Sequence, residues 1–143
     1  MPPLIPDGVY LISCAGADLS IDLSGGGTRP ATPLIGRGPH RGDNQKWEVR
    51  NVDGVNGVNE FRLRSVLGAV YVGIGFGRRQ PLEAAVQPLP MPWSIEPAGP
   101  DLFRIRNPFA DQSLSLAGDT EGSRLNLPPW EDGALQKWVF EPA

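Results

Sequence analysis

Apolar and polar residues alternate with a period of two in short runs along this chain, and the runs fall into three similar sets. Such alternation is typical of strands that bury one face. In two sets the opening run places arginines between apolar residues. The first runs are 9–13, 60–65 and 102–107, the second 19–23, 69–73 and 113–116, and the third 33–35, 82–86 and 124–127. A fourth run in each set carries a tryptophan, so the pattern predicts twelve short strands.

The tryptophans of the fourth runs are Trp47, Trp93 and Trp138, at a nearly equal spacing of about 45 residues. Clusters rich in Gly, Pro, Asp and Asn separate the runs, as at Gly25-Gly26-Gly27 and Asn56-Gly57, and such clusters favour turns. Sustained helical periodicity is missing, so we expect little or no helix. We predict one all-β domain over residues 1–143, built from repeats at about 7–52, 58–98 and 101–143.

The length of each repeat explains why three are needed. Four short strands cannot bury an apolar face by themselves, whereas three such units around a pseudo-threefold axis can. Closing the sheet into a barrel also removes exposed edges. We therefore expect the three tryptophans to lie in equivalent places in one core.

Composition narrows the function classes. The chain has 143 residues, a formal net charge of −3, 18 Gly and 16 Pro. A nucleic-acid binder normally carries a clear basic excess, which is missing here. The single cysteine, Cys14, allows no intrachain disulfide and is expected to be a small buried residue. A single histidine excludes multi-histidine metal centres, and we expect no metal and no cofactor.

The sequence gives no sign of membrane insertion or of a secretory signal. No window approaches about 18 consecutive apolar residues, the length of a membrane-spanning helix. Residues 1–7 lack the basic start and the apolar run of a signal peptide. We expect a cytoplasmic location, because a chain with one cysteine suits a reducing compartment. Unconventional secretion is the alternative.

The tryptophan runs carry a family resemblance. Two of them read Gln45-Lys46-Trp47 and Gln136-Lys137-Trp138, whereas the second reads Met91-Pro92-Trp93. The first repeat adds the string Gly36-x-x-x-His40-x-Gly42-x-Asn44-Gln45. Over its whole length the chain resembles the ricin-B-type lectins with Gln-x-Trp motifs, and its first repeat is especially similar to fungal members. The resemblance implies a β-trefoil, three four-strand repeats about a pseudo-threefold axis.

The resemblance also implies a sugar site in each repeat that keeps its polar residues. In the first repeat these are Asp22, His40 and Asn44, a carboxylate, a flat ring and an amide that suit a sugar's hydroxyls and apolar ring face. Gly25, Gly26, Gly36 and Arg37 are expected alongside. Gln45 is expected to serve the fold by tying loops to the backbone.

The other two repeats depart from this pattern. The second has Gly73 or Gly75 near the Asp22 position, and the third has Ser115 there. Trp130 falls opposite Pro39 and marks a possible second site. The resemblance thus implies a non-enzymatic lectin for glycans or glycoproteins, of galactose or N-acetylgalactosamine type, with its main site in the first repeat. With one site per chain, agglutination would require a homodimer.

A protease inhibitor is the alternative. Inhibitors of trypsin-like enzymes present an exposed Arg or Lys on a restrained loop, and prolines lower the entropy cost of binding. Thr28-Arg29-Pro30 qualifies, as does the segment 76–81, which carries Arg78 and Arg79. The plainer interpretation of both segments is a solvated basic turn.

Overall fold

The computed structural model describes residues 5–54 and 57–143, and in them every predicted run contributes a strand. Three short 3-10 helices, Ser24–Gly26, Asp43–Gln45 and Ala134–Gln136, are the helical segments of these residues. Residues 1–4 and Asn56, with its predicted turn, lie outside the described residues. The strands are β1 (Gly8–Cys14), β2 (Ser20–Leu23), β3 (Leu34–Arg37), β4 (Trp47–Gly54), β5 (Gly57–Ser65), β6 (Tyr71–Ile74), β7 (Ala84–Gln87), β8 (Trp93–Gly99), β9 (Leu102–Arg106), β10 (Ser115–Leu116), β11 (Leu125–Asn126) and β12 (Trp138–Pro142).

Six of the strands close into a barrel. β1 pairs with β4, β4 with β5, β5 with β8, β8 with β9, β9 with β12, and β12 returns to β1, all antiparallel. Each of these strands therefore has a partner on both sides, which removes the edges along which a sheet could pair with another chain.

The other six strands form three hairpins, β2–β3, β6–β7 and β10–β11. Bridges join each hairpin to the other two, at Pro33–Ala85, Ile35–Arg124 and Glu83–Asn126. The hairpins thus form a triangular layer. The first hairpin and the segment that follows it, up to β4, carry the residues of the candidate site.

The three tryptophans occupy matching places in the core, as the sequence predicts. All three are fully buried. The indole Nε1 of Trp47 donates to the carbonyl of Ile21 at 3.1 Å, that of Trp93 to Val72 at 2.9 Å, and that of Trp138 to Leu114 at 2.8 Å. Each tryptophan also lies opposite the aromatic residue of a barrel strand, namely Tyr10, Phe61 or Phe103.

These bonds define equivalent positions in the three strand groups β1–β4, β5–β8 and β9–β12. Ile21, Val72 and Leu114 correspond, so the residue after each one corresponds too: Asp22, Gly73 and Ser115. The sequence left Gly73 and Gly75 open for the second group, and the Trp93–Val72 bond selects Gly73. Cys14 ends β1 and is 5% exposed, as expected for a small core residue.

Candidate functional site

The candidate site is centred on the carboxylate of Asp22, in β2, which is 0% exposed. Asn44 Nδ2 donates to Asp22 Oδ1 at 3.1 Å, and Gln45 Nε2 donates to Asp22 Oδ2 at 3.0 Å. His40 Nε2 lies 3.4 Å from the same Oδ2. A buried carboxylate requires such donors, because removing an unpaired charge from water costs several kcal/mol. The structure therefore brings the three predicted polar residues together.

Gln45 holds the loop that carries His40. Its Oε1 accepts the backbone N–H groups of His40 at 2.9 Å and Arg41 at 3.3 Å, and its Nε2 also donates to the carbonyl of Gly38 at 3.0 Å. One buried amide thus connects Asp22 to three loop residues. Gln45 therefore ties the loop to the fold, the structural role expected from the sequence, and the same side chain also supports the carboxylate of the polar site.

His40 is oriented by a bond within its own loop. Gly42 N–H donates to His40 Nδ1 at 3.0 Å, so Nδ1 is the acceptor and the neutral ring carries its proton on Nε2, which faces Asp22. The imidazole side chain is 47% exposed. Its flat face is therefore available to a ligand, while its inner edge lies against the carboxylate.

Gly42 belongs to the site, although the sequence pattern assigns it no role beyond its place in the string from Gly36 to Gln45. A Cβ at this position would lie 2.7 Å from His40 Cε1 and 3.1 Å from Asn44 Oδ1. Any side chain would therefore displace the imidazole. The Gly-x-Asn spacing after His40 is the signal that could have identified it.

The predicted glycines and Arg37 divide into two places. Gly25 and Gly26, with φ of 63° and 68°, form the turn after β2, which packs against the turn Asp43–Gln45. Gly36 instead provides a close approach, because a Cβ there would lie 2.8 Å from Leu116 Cδ2. Arg37 pairs with Glu121 at 3.4 Å. Gly36 and Arg37 thus contact the third strand group rather than the carboxylate cluster.

The third strand group repeats the hydrogen bonds by which the glutamine holds its loop, but it lacks the polar cluster. Gln136 accepts Glu131 N–H at 2.7 Å and donates to the carbonyl of Pro129 at 2.8 Å, so Glu131 corresponds to His40 and Leu135 to Asn44. Ser115 Oγ donates instead to the carbonyl of Ser113 at 2.9 Å. An open depression of about 420 Å³ remains here, lined by residues that include Ser115, Glu131 and Leu135.

Trp130, the predicted second-site residue, does not line that depression. The Arg104 guanidinium lies over its ring, with Cζ 4.7 Å from the centroid, and its backbone N–H donates to Asp111 at 3.3 Å. One face of its indole is therefore covered by a cation–π contact, a common structural use of tryptophan.

The second strand group has an apolar surface at the matching place. Gly73 stands where Asp22 lies, and Met91 replaces the glutamine. Phe76 and Leu89, 75% and 78% exposed, flank a depression of about 390 Å³. Of the three equivalent places, the first alone holds a carboxylate with an amide and an imidazole.

The arginines of the inhibitor alternative lie on exposed loops. The carbonyl of Arg29 accepts both the N–H and the hydroxyl of Thr32, at 3.1 and 2.7 Å. Arg78 and Arg79 border a depression of about 360 Å³ beside Glu83.

In the described residues, no group of three or more His, Cys, Asp or Glu side chains is placed to hold a metal ion. In the same part of the chain, no helix has the length and apolar character needed to cross a bilayer.

Comparison with known proteins gives structural relatives only. No protein-family model matches the chain, and no curated protein matches it. Solved structures do match over its whole length. The ricin B-like lectin of Macrolepiota procera, in complex with lactose, is 29% identical with a TM-score of 0.82, covering 97% of this chain and 99% of that one. Lectins solved with bound sugars recur among the structural neighbours.

Two further matches concern the fold. The Rhizoctonia solani agglutinin is 23% identical with a TM-score of 0.88 and full coverage of both chains. A designed 3-fold symmetric protein, ThreeFoil, is 14% identical with a TM-score of 0.86, covering 96% of this chain and all of that one. With the closed barrel and its three hairpins, these matches are consistent with a β-trefoil.

Proposed function

We propose that the protein is a β-trefoil lectin that binds a glycan at the first strand group, through Asp22, His40 and Asn44. The observation that carries the proposal is the cluster around Asp22. A buried carboxylate has three polar side chains turned towards it, and two of them are partly or largely exposed. The cluster holds one carboxylate, whereas glycoside hydrolysis generally uses two, so we propose binding rather than catalysis.

The geometry suggests how a sugar binds. Asn44 uses one N–H on Asp22, which leaves its second N–H and its carbonyl for sugar hydroxyls. The His40–Asp22 contact is long, at 3.4 Å. We propose that the imidazole swings away from Asp22, so that a sugar hydroxyl donates to Oδ2 in its place while the ring packs beside the sugar. A carboxylate is the strongest acceptor available to a hydroxyl, because such bonds are charge-assisted.

We further propose a galactose-type ligand, galactose or N-acetylgalactosamine. The support is the lactose complex of the Macrolepiota procera lectin, since lactose ends in a galactose unit. One site per chain gives weak monovalent binding, and agglutination of cells then requires at least two linked copies.

Residues taken from the third strand group give a sharp test. Asp22→Ser and Asn44→Leu install the residues that the fold already accepts at the equivalent positions Ser115 and Leu135. Calorimetric titration with lactose and with N-acetylgalactosamine should show affinity reduced by about 10-fold or more in each variant, as expected for losing a charge-assisted bond. The matched control Glu131→Ala, at the position equivalent to His40, should bind like the unmodified chain. Unchanged affinity in Asp22→Ser would contradict the proposal.

The inhibitor alternative is checked with the same samples against trypsin and papain. A substrate-like loop must offer the carbonyl of its specificity residue to the protease. The Arg29 carbonyl is already engaged by Thr32 in a turn, which disfavours this loop. Tight inhibition that is lost in Arg78→Ala with Arg79→Ala, together with silence towards sugars, would replace the lectin proposal.

A further inference from the structure

Three arginines gather on the outer face of β4 and β5, away from the Asp22 cluster. Arg50 of β4 lies directly opposite Arg62 of β5, and Arg64 lies opposite Tyr71 of β6. Together with Glu48 and Ala69, these four residues line a depression of about 320 Å³. This is at the lower end of the size range of small-ligand sites. We name it the outer arginine pocket.

Arg62 and Arg64 have no carboxylate partner within 4 Å among the described residues. Glu48 lies opposite Arg64 on the neighbouring strand, yet its nearest basic atom is Arg50 Nη2, at 3.9 Å. Among the described residues, Arg29, Arg78 and Arg79 on exposed loops are likewise without a carboxylate within 4 Å, whereas several basic side chains on strands and turns are paired more closely. Examples are Arg37 with Glu121 at 3.4 Å, Arg106 with Glu96 at 3.2 Å and Lys137 with Asp132 at 3.0 Å.

This arrangement opposes stability. Like charges directly opposite each other on antiparallel strands are destabilising, and Arg50 and Arg62 form such a pair. With Glu48 included, the pocket carries a net charge of about +2 on a chain whose formal net charge is −3. Concentrated positive charge in a concave surface attracts anions.

The donor chemistry specifies the ligand. Guanidinium groups present rigid pairs of N–H donors that match the oxygen spacing of sulfate, phosphate and carboxylate groups. The Tyr71 hydroxyl adds one neutral donor at the rim. We propose that the outer arginine pocket binds a tetrahedral oxyanion, either free or carried as an ester on a saccharide. Arg62 and Arg64 supply the principal donors.

Titration at low ionic strength tests this, because salt screens exposed charges. The ligands are sodium sulfate, galactose 6-sulfate and uncharged galactose, followed by calorimetry and by the NMR signals of the arginine Nε–H groups. Sulfate and galactose 6-sulfate should shift the Arg62 and Arg64 signals. Arg62→Gln with Arg64→Gln should weaken binding about 10-fold or more, as expected for charge-assisted bonds. In the Asp22→Ser variant, which lacks the proposed sugar site, tighter binding of galactose 6-sulfate than of sulfate would identify a saccharide ester as the ligand, and binding no tighter than that of sulfate would identify the free anion.

Two further variants exclude trivial explanations. Arg78→Gln with Arg79→Gln removes the same charge from a distant loop and should leave sulfate binding unchanged. Glu48→Gln removes the one acidic group that lines the pocket and should make sulfate binding tighter. Equal loss in the two arginine pairs, no change in Arg62→Gln with Arg64→Gln, or weaker binding in Glu48→Gln would overturn the proposal. Asp22→Ser should leave sulfate binding intact, so this proposal and the lectin proposal fail separately.

Discussion

Gln45 and Gln136 occupy equivalent places in two strand groups, and we predict that replacing them by methionine has unequal costs. Methionine has a similar length and stands at this position in the second group, as Met91. Gln45→Met removes four hydrogen bonds, one of them to the Asp22 carboxylate. Gln136→Met removes two, both to backbone groups. The variants therefore differ mainly by the bond to buried charge.

The magnitude follows from the lost bonds. A net neutral hydrogen bond contributes about 1 kcal/mol, and one to a charged group about 1.5–3 kcal/mol. Gln45→Met should thus lower the free energy of unfolding by about 2–4 kcal/mol more than Gln136→Met does. With a urea dependence of about 2 kcal/mol/M, the unfolding midpoints should differ by about 1–2 M.

Urea unfolding, followed by tryptophan fluorescence, measures both costs. The same pair in an Asp22→Ser background completes a double-mutant cycle, and there the extra cost of Gln45→Met should fall to about 1 kcal/mol or less. Equal costs for the two variants in the original chain, or an unchanged difference in the Asp22→Ser background, would refute the assignment of Gln45 as the amide that supports the carboxylate.

Three other variants test individual features. Gly42→Ala should displace the His40 ring and weaken sugar binding measurably while leaving the melting temperature nearly unchanged, because the contact is with a movable side chain; a large loss of stability would contradict this. Ala31 has φ of 64° in the Arg29–Thr32 turn, so Ala31→Gly should relieve strain and raise the melting temperature by about 3 °C; a decrease would contradict it. Burial raises the pKa of the Cys14 thiol, so the folded chain holds this proton more tightly than the unfolded chain, and stability should fall as pH rises above about 8.5. The stability of Cys14→Ala, measured by calorimetric melting, should fall less over that pH range. An equal fall in both proteins would contradict the assignment of this pH dependence to Cys14.

The strands and the core could be predicted from the sequence because both depend on local pattern. Period-two alternation marks a half-buried strand wherever it occurs, and three regularly spaced tryptophans have only one large core to share. Trp47, Trp93 and Trp138 therefore took their predicted places. The sequence could not decide whether Gly73 or Gly75 corresponds to Asp22, because the hairpin loops of the repeats differ in length. The hydrogen bond from Trp93 to the carbonyl of Val72 decides it.

Parts of the site depend on contacts between distant segments, which no local pattern shows. Arg37 pairs with Glu121 of the third strand group, and Arg104 covers Trp130, which lies 26 residues further along the chain in the same group. The full burial of Asp22 likewise follows from three side chains that fold over it. In the sequence Asp22 is closely followed by a glycine-rich loop, and nothing in that pattern predicts that its carboxylate is buried.

An NMR titration of the uniformly labelled chain with lactose tests the central claim most directly, because it reports every strand group at once. The account predicts that the largest shifts fall at His40, Gly42 and Asn44, and that they vanish in Asp22→Ser. Shifts centred on Phe76 and Leu89, or on the depression beside Glu131, would place the ligand in another strand group and contradict the account.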